Sequence, residues 1–335
     1  MSQDFLNNID FSGFSAFAPH ASAVPPFLGT AAYLSKGSEE PEWLVKDWLP
    51  KGRLIVLSGD SKSGKTALVT NLAAAVATGS SFLGLSTNCH PVLWLAYEES
   101  PDERREILGC YADLALLLHP EIEQGELPLL DTAQGIAQLE SWITETGAAL
   151  IIVDPLYSAI ITDSLAHGKQ ARDALTPLKR MCCRLNVSAL VIHHLNKNQL
   201  GTARDRVADS HQILATASMD VLMMANEEAE GRDITLHMKG RGRYANGTWA
   251  IHSRHESDFS IISRSNSKKN CFAPQEQRIL RLLVTGGSSL TSSQVAAALA
   301  ISPAAASNAL KRLHDLGSIT RHASGRQFFY RAGGL

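Results

Sequence analysis

Long apolar runs are missing from this 335-residue sequence, and no basic stretch followed by an apolar one opens it. Neither a membrane span nor secretion is therefore expected, and the protein is read as cytoplasmic with no membrane partner. Cysteine is scarce. The five present (Cys89, Cys110, Cys182, Cys183, Cys271) are odd in number and none has C-x-x-C spacing. That argues against a disulfide framework or a zinc knuckle and for reduced thiols. Aromatic residues make up only 6% of the chain, and none falls in the polar stretch 197–209. Excess charge is lacking too, with 33 acidic against 31 basic residues and a net charge of −2.

That near balance hides an asymmetry. From residue 268 onward nine Lys or Arg stand against two acids, a net +7, so the rest of the chain carries −9. A basic tail module on an acidic body suggests an anionic partner for the tail. The length leaves room for two domains, one of them large enough for a full α/β core.

The chain is organised around residues 54–79. Within them, residues 59–66 read GDSKSGKT, the phosphate-binding loop pattern G-x-x-x-x-G-K-[ST]. A β-branched and leucine run (54–57) precedes it as a buried strand would, and an alanine-rich helical stretch (66–78) follows and stops at Gly79. Gly59 and Gly64 let the backbone bend, so that the amides of Asp60, Ser61, Lys62 and Ser63 can turn toward phosphates at a helix N-terminus. Lys65 is placed to reach the β- and γ-phosphates of ATP, and the Thr66 hydroxyl to hold Mg²⁺.

The pattern beyond the loop alternates. Strands are expected at 92–97, 150–153 and 188–192, with helices at 102–117, 134–145 and 169–185 between them, which predicts a mostly parallel, doubly wound α/β sheet. Ligands in such sheets sit beyond the C-terminal strand ends. Asp154 ends one strand and is expected to hold the metal, while Pro155 follows where a second acid could have stood. The water-activating carboxylate is therefore sought at another strand end, in Glu98, with Glu99 as the fallback. Four strand-like runs (220–224, 234–238, 249–252, 259–262) suggest antiparallel additions to the sheet edge. Residues 1–40, with isolated Phe5, Phe11, Phe14 and Phe17, read as a mobile arm, 41–264 as the ATPase domain and 265–273 as a linker.

Residues 274–335 form the last module. Helices are expected over 275–284, 291–299 and from Ser302-Pro303 to 316, followed by a two-stranded wing around Ser324-Gly325. This order resembles a winged helix-turn-helix domain. Asn308, Lys311 and Arg312 on the third helix, with Arg326 at the wing, are the candidate contacts to duplex DNA, phosphate contact being better supplied than base readout. Such modules also dock proteins.

Taken together, GDSKSGKT, Glu98 in WLAYEES, Asp154 in LIIVDP, His194 in VIHHLNK and Lys239 with Arg241 in HMKGRGR resemble the motif set of RecA-like P-loop ATPases. The likeness is to the hexameric replicative helicases and the plasmid RepA helicases, over residues 43–263. It implies that His194 senses the γ-phosphate and that Lys239 and Arg241 reach a neighbouring subunit's nucleotide, Arg243 being a rival finger. A finger supplied in trans implies a homo-oligomer, as a hexameric ring or a filament. Lys197, Arg204 and Arg206 would lie in a loop facing single-stranded DNA, or in a merely solvated one. The resemblance implies a DNA helicase in replication of a plasmid, phage or mobile element. The alternatives are a non-motor ATP-gated DNA-binding regulator or loader, and a recombination or repair ATPase.

Overall fold

The computed structural model describes residues 29–30, 41–109, 111, 114–120, 126–162, 168–195, 211–228, 231–240, 246–255, 258–265, 272–286, 288–315, 318–325 and 327–332. Glu42–Leu335 is one compact unit. A short hairpin, β1 (Trp43–Val45) and β2 (Leu49–Pro50), leads into β3 (Leu54–Gly59), all six of whose residues are buried. Burial on both faces is what a central parallel strand requires, and it explains the unbroken apolar run of its first four residues. The phosphate loop then opens α1 (Lys65–Thr78), which starts at Gly64 and is capped at its end by Gly79, both in the left-handed region.

β4 (Val92–Ala96) is followed by α2 (Pro101–Leu108), whose start is fixed by Ser100 and Glu103 in a reciprocal capping box with Pro101 in the first turn. The helix expected over 102–117 stops at Gly109. Leu117 and Leu118 instead form β5 (Leu117–Leu118), paired with the start of β4. Glycine is a poor helix former and the β4 edge offers unpaired backbone groups, so the strand wins. Next come α3 (Ala133–Thr146), β6 (Leu150–Asp154), α4 (Gly168–Leu185), β7 (Ser188–His194) and α5 (His211–Thr216). The four strands β8 (Met219–Glu228), β9 (Gly231–Gly240), β10 (Gly247–His255) and β11 (Asp258–Ser265) complete the sheet.

The sheet order is β11-β10-β9-β8-β3-β7-β6-β4-β5. Only β9, β10 and β11 are antiparallel additions. β8, also expected to be one, pairs in parallel with β3. It returns from α5 in a crossover, and crossovers make parallel neighbours. One core cluster lies between the sheet and α1 and includes Leu57, Leu72, Trp94, Ile234 and Trp249. The opposite face carries a second around α3 and α4, with Val56, Val153, Leu175 and Leu178.

The C-terminal module comprises α6 (Pro274–Thr285), β12 (Leu290–Thr291), α7 (Ser292–Ala298), α8 (Pro303–Asp315), β13 (Ile319–Ser324) and β14 (Gln327–Ala332). β13 and β14 pair from Ile319 opposite Ala332 to Ser324 opposite Gln327, forming the wing. The result is a mostly parallel RecA-like α/β core with a winged helix-turn-helix domain at its C-terminal end. Among the described residues, no helix is long and apolar enough to cross a membrane.

Candidate functional site

Strand register brings the candidate residues to one rim of the parallel sheet. Gly59 at the end of β3 lies opposite His194 on β7 and Met223 on β8, and Asp154 ends β6 opposite Ala96 on β4. Glu98 follows β4 by two residues. The phosphate loop bends over the end of β3 through Lys62 (φ 62°) and Gly64 (φ 88°). A Cβ at Gly59 would sit 2.7 Å from the Met223 carbonyl oxygen, so the close approach of β8 requires glycine there.

Lys65 is 3% exposed and its ammonium donates to the carbonyls of Gly59 (3.1 Å) and Asp60 (2.7 Å). Burial pulls its pKa down to about 8, opposed by the charges of Asp154 and Asp60. Within the loop, the Ser63 hydroxyl is buried and has no partner among the described residues. A buried cation resting on carbonyls and an unpaired hydroxyl suit a site whose natural occupant is a polyanion.

Thr66 and Asp154 are directly joined, the threonine Oγ1 donating to Asp154 Oδ2 at 3.0 Å. Asp154 is 6% exposed, and burial, then the nearby Glu99 charge, pushes its pKa up to about 7. An acid held this far from its preferred ionisation, beside a threonine hydroxyl, matches the oxygen-donor chemistry that Mg²⁺ takes. Thr66 and Asp154 would hold the ion, which when bound screens phosphate charge.

Asp154 has a folded-state pKa raised above its ordinary value, so the metal-free protein loses stability as pH rises through about 7. Asp154→Asn removes this buried anion and keeps an acceptor for Thr66. At pH 8 without divalent cation the variant is expected to be more stable than the wild type, on the order of 2 kcal/mol. Thermal melts from pH 8 to pH 5 should show that gap narrowing.

The two acids after β4 have different surroundings. Glu98 is exposed and accepts from the Ser158 hydroxyl at 2.7 Å. Its charge also acts on His194, whose pKa is lowered first by burial and then by Lys65, with Glu98 opposing. Glu99 instead pairs with Arg104 at 3.0 Å, and that guanidinium lies 3.5 Å from the centre of the Trp94 ring. His193 is half-buried, and its desolvation together with the His194 and Lys65 charges brings its pKa to about 4.

Not every candidate gathers here. β9 runs away from the rim, and Lys239 lies opposite Asp220, itself opposite Val56 near the other end of β3. Lys239 is exposed there, roughly 10 Å along the strands from Gly59. Lys197, Arg204, Arg206, Arg241, Arg243 and Arg326, with Phe5, Phe11, Phe14 and Phe17 of the arm, lie outside the described residues. In the winged helix, Asn308, Lys311 and Arg312 are exposed on α8. Arg312 Nη1 also reaches Glu276 Oε1 of α6 at 3.1 Å. On the wing Arg321 stacks over Phe328, which is 49% exposed.

One cation at the rim escapes the sequence reading. Arg232, near the start of β9, has Nη1 only 2.5 Å from where a Cβ on Gly64 would be. Glu227 holds it through bonds of 2.8 Å to Nε and 2.6 Å to Nη2. A cleft of about 170 Å³ opens beside them, lined by Ala67, Ile234, Arg254, His255 and Phe259 among others. The signal that could have found Arg232 is parity: Ile234, Leu236 and Met238 face α1, so Arg232 must as well.

Two protein families match the chain. The MarR family matches residues 273–327, the winged helix. No curated protein sequence matches the chain. Among solved structures, a KaiC-like protein from the hyperthermophilic archaeon Pyrococcus horikoshii OT3 is 14% identical with a TM-score of 0.45, covering 65% of this chain and 93% of its own. The AAA domain family matches residues 19–200, which is more than half of the sequence and includes the phosphate loop, Glu98, Asp154 and His194. The chain belongs to the AAA domain family.

Proposed function

We propose that the protein is an ATP-hydrolysing, DNA-binding motor of the RepA-like replicative helicase type, working in the cytoplasm on a plasmid, phage or other mobile element. The observation that carries the ATPase part is the convergence of Lys65, Thr66, Asp154, Glu98 and His194 on one rim. In this reading Glu98 orients a water and takes its proton as the water oxygen bonds to the γ-phosphorus in line. The bond from that phosphorus to the β–γ bridging oxygen breaks, ADP leaves, and Lys65 offsets the charge gathering on the phosphate oxygens. His194 senses the γ-phosphate from the end of β7.

The domain limits proposed are an arm over 1–40, the ATPase over 41–264, a linker over 265–273 and the winged helix over 274–335. Single-stranded DNA would meet Lys197, Arg204 and Arg206, and duplex DNA would meet Asn308, Lys311, Arg312 and Arg326. Lys239 sits away from its own phosphate loop. That supports Lys239 and Arg241 acting on a neighbour's nucleotide in a homo-oligomer, a hexamer in this reading.

Fork unwinding and ATP turnover with and without single-stranded DNA test the reading. Wild type should unwind and be stimulated. Mixing Glu98→Gln with Arg241→Ala subunits should restore part of the turnover each lacks. Stimulated hydrolysis without unwinding would transfer the assignment to an ATP-gated DNA-binding regulator. One feature favours that second reading: the winged helix packs directly on the ATPase sheet through α6, as the shared cluster of Ala250, Ile262, Ile279 and Leu283 shows.

A further inference from the structure

The first helix of the winged-helix module also serves as a layer of the ATPase. α6 covers the face of β9 to β11 that points away from α1, where Phe272, Ile279, Leu280 and Leu283 share a buried cluster with Ala250 and Ile262. Set into that apolar contact is a group of buried polar side chains. Asp233 on β9 is 2% exposed; its Oδ1 lies 2.7 Å from His252 Nδ1 on β10 and accepts from Arg281 Nη1 on α6 at 3.1 Å. Gln277 of α6 donates to the Thr235 hydroxyl, again on β9. Buried polar groups tolerate only arrangements that keep their partners, so this contact has one preferred register.

Successive residues of a strand point to opposite faces. Asp233 faces the winged helix, so its neighbour Arg232 faces the phosphate loop, where its guanidinium rests against Gly64. A contact to the nucleotide site and a contact to the DNA-binding module are thus one residue apart, about 3.3 Å along the same strand. Arg232 is held by Glu227, an exposed acid whose charge it satisfies. Nucleotide phosphates arriving at Gly64 would offer the same guanidinium a second set of anionic oxygens, which a planar fork binds well.

We propose that Arg232 is a nucleotide-phosphate ligand, and that its transfer from Glu227 to the phosphates moves the start of β9 and, through Asp233 and Arg281, changes how α6 is held against the sheet. Nucleotide occupancy is then reported to the winged helix by the Arg232-Asp233 pair. This rests on the phosphate loop binding a nucleotide, as proposed above. The coupling differs from a rigid tether because the nucleotide at Arg232 and the seat of α6 at Asp233 bias the same strand.

The test uses the full chain and Mg²⁺-ADP, with hydrogen–deuterium exchange and titration by a fluorescent ADP analogue read side by side. In the wild type, ADP should slow exchange in residues 59–66 and change exchange of the α6 amides by about fivefold or more. Arg232→Gln should weaken ADP binding about tenfold. Asp233→Asn, nearly isosteric, should bind ADP within roughly twofold of wild type while its α6 exchange no longer responds. Arg281→Leu, which leaves Asp233 with His252, is the second uncoupling variant should Asp233→Asn not fold. A wild type whose phosphate loop is protected while α6 is indifferent overturns the relay, as does an uncoupling variant that responds normally. Unchanged ADP affinity in Arg232→Gln overturns the ligand assignment. Absence of ADP binding by the wild type is a different result: it removes the nucleotide reading itself, and the relay with it.

Discussion

Lys65→Ala should lower ATP turnover by about 10²–10³-fold, the usual effect of removing one preorganised donor from a site of developing charge. Lys65 is the buried cation of the loop, already drawn inward onto the Gly59 and Asp60 carbonyls. Among the described residues, the buried cation nearest in kind is Arg104, which is committed to Glu99 and Trp94, and Arg232 approaches from the Gly64 side. The variant should not be less stable. Burial already disfavours the Lys65 charge, bringing its pKa to about 8, so alanine removes a burden together with a function. Phosphate release and a thermal melt measured on the same preparation check both halves. Near wild-type turnover in the variant would mean that the loop is not the phosphate site.

Glu98→Gln should stop hydrolysis almost as fully, by about 10²–10⁴-fold, while ATP still binds, because glutamine keeps the shape but cannot take a proton. The choice between the two neighbouring acids rests on what each touches. Glu98 is exposed beside His194 and carries a hydrogen bond from Ser158, so its carboxylate is available at the rim. Glu99 is occupied by Arg104. Glu99→Gln should therefore act indirectly, weakening the Arg104 pair near Asp154 and lowering turnover by roughly tenfold or less. Single-turnover hydrolysis beside nucleotide titration separates binding from chemistry for both variants. If the glutamine at 99 proves the more damaging, water activation belongs to Glu99.

Much of this was legible in the sequence because it is local. The loop GDSKSGKT declares itself by glycine spacing, and apolar runs ending in Glu98, Asp154 and His194 place those residues at strand ends before any tertiary contact is considered. Length misled where local propensity and edge pairing competed, as at residues 102–117, where Gly109 ended the helix and Leu117 joined β5. Direction was hidden too. β8 looks like its antiparallel successors in composition, and only the crossover from α5 makes it parallel to β3. Arg232 was the least visible, since its meaning depends on which face of β9 packs against α1 and on Glu227 across the hairpin. The contact of α6 with the sheet is equally non-local, joining Asp233 to Arg281 across 48 positions of chain.

The seat of α6 on β9 to β11 has a practical corollary. Cutting the chain after β11 to obtain a catalytic fragment would strip Ile262 and Ala250 of their cover and flood Asp233, Thr235 and His252 with solvent. Such a fragment would carry a raw, adhesive flank, and any clumping or lost activity it displayed would be a wound of the scissors rather than a trait of the enzyme.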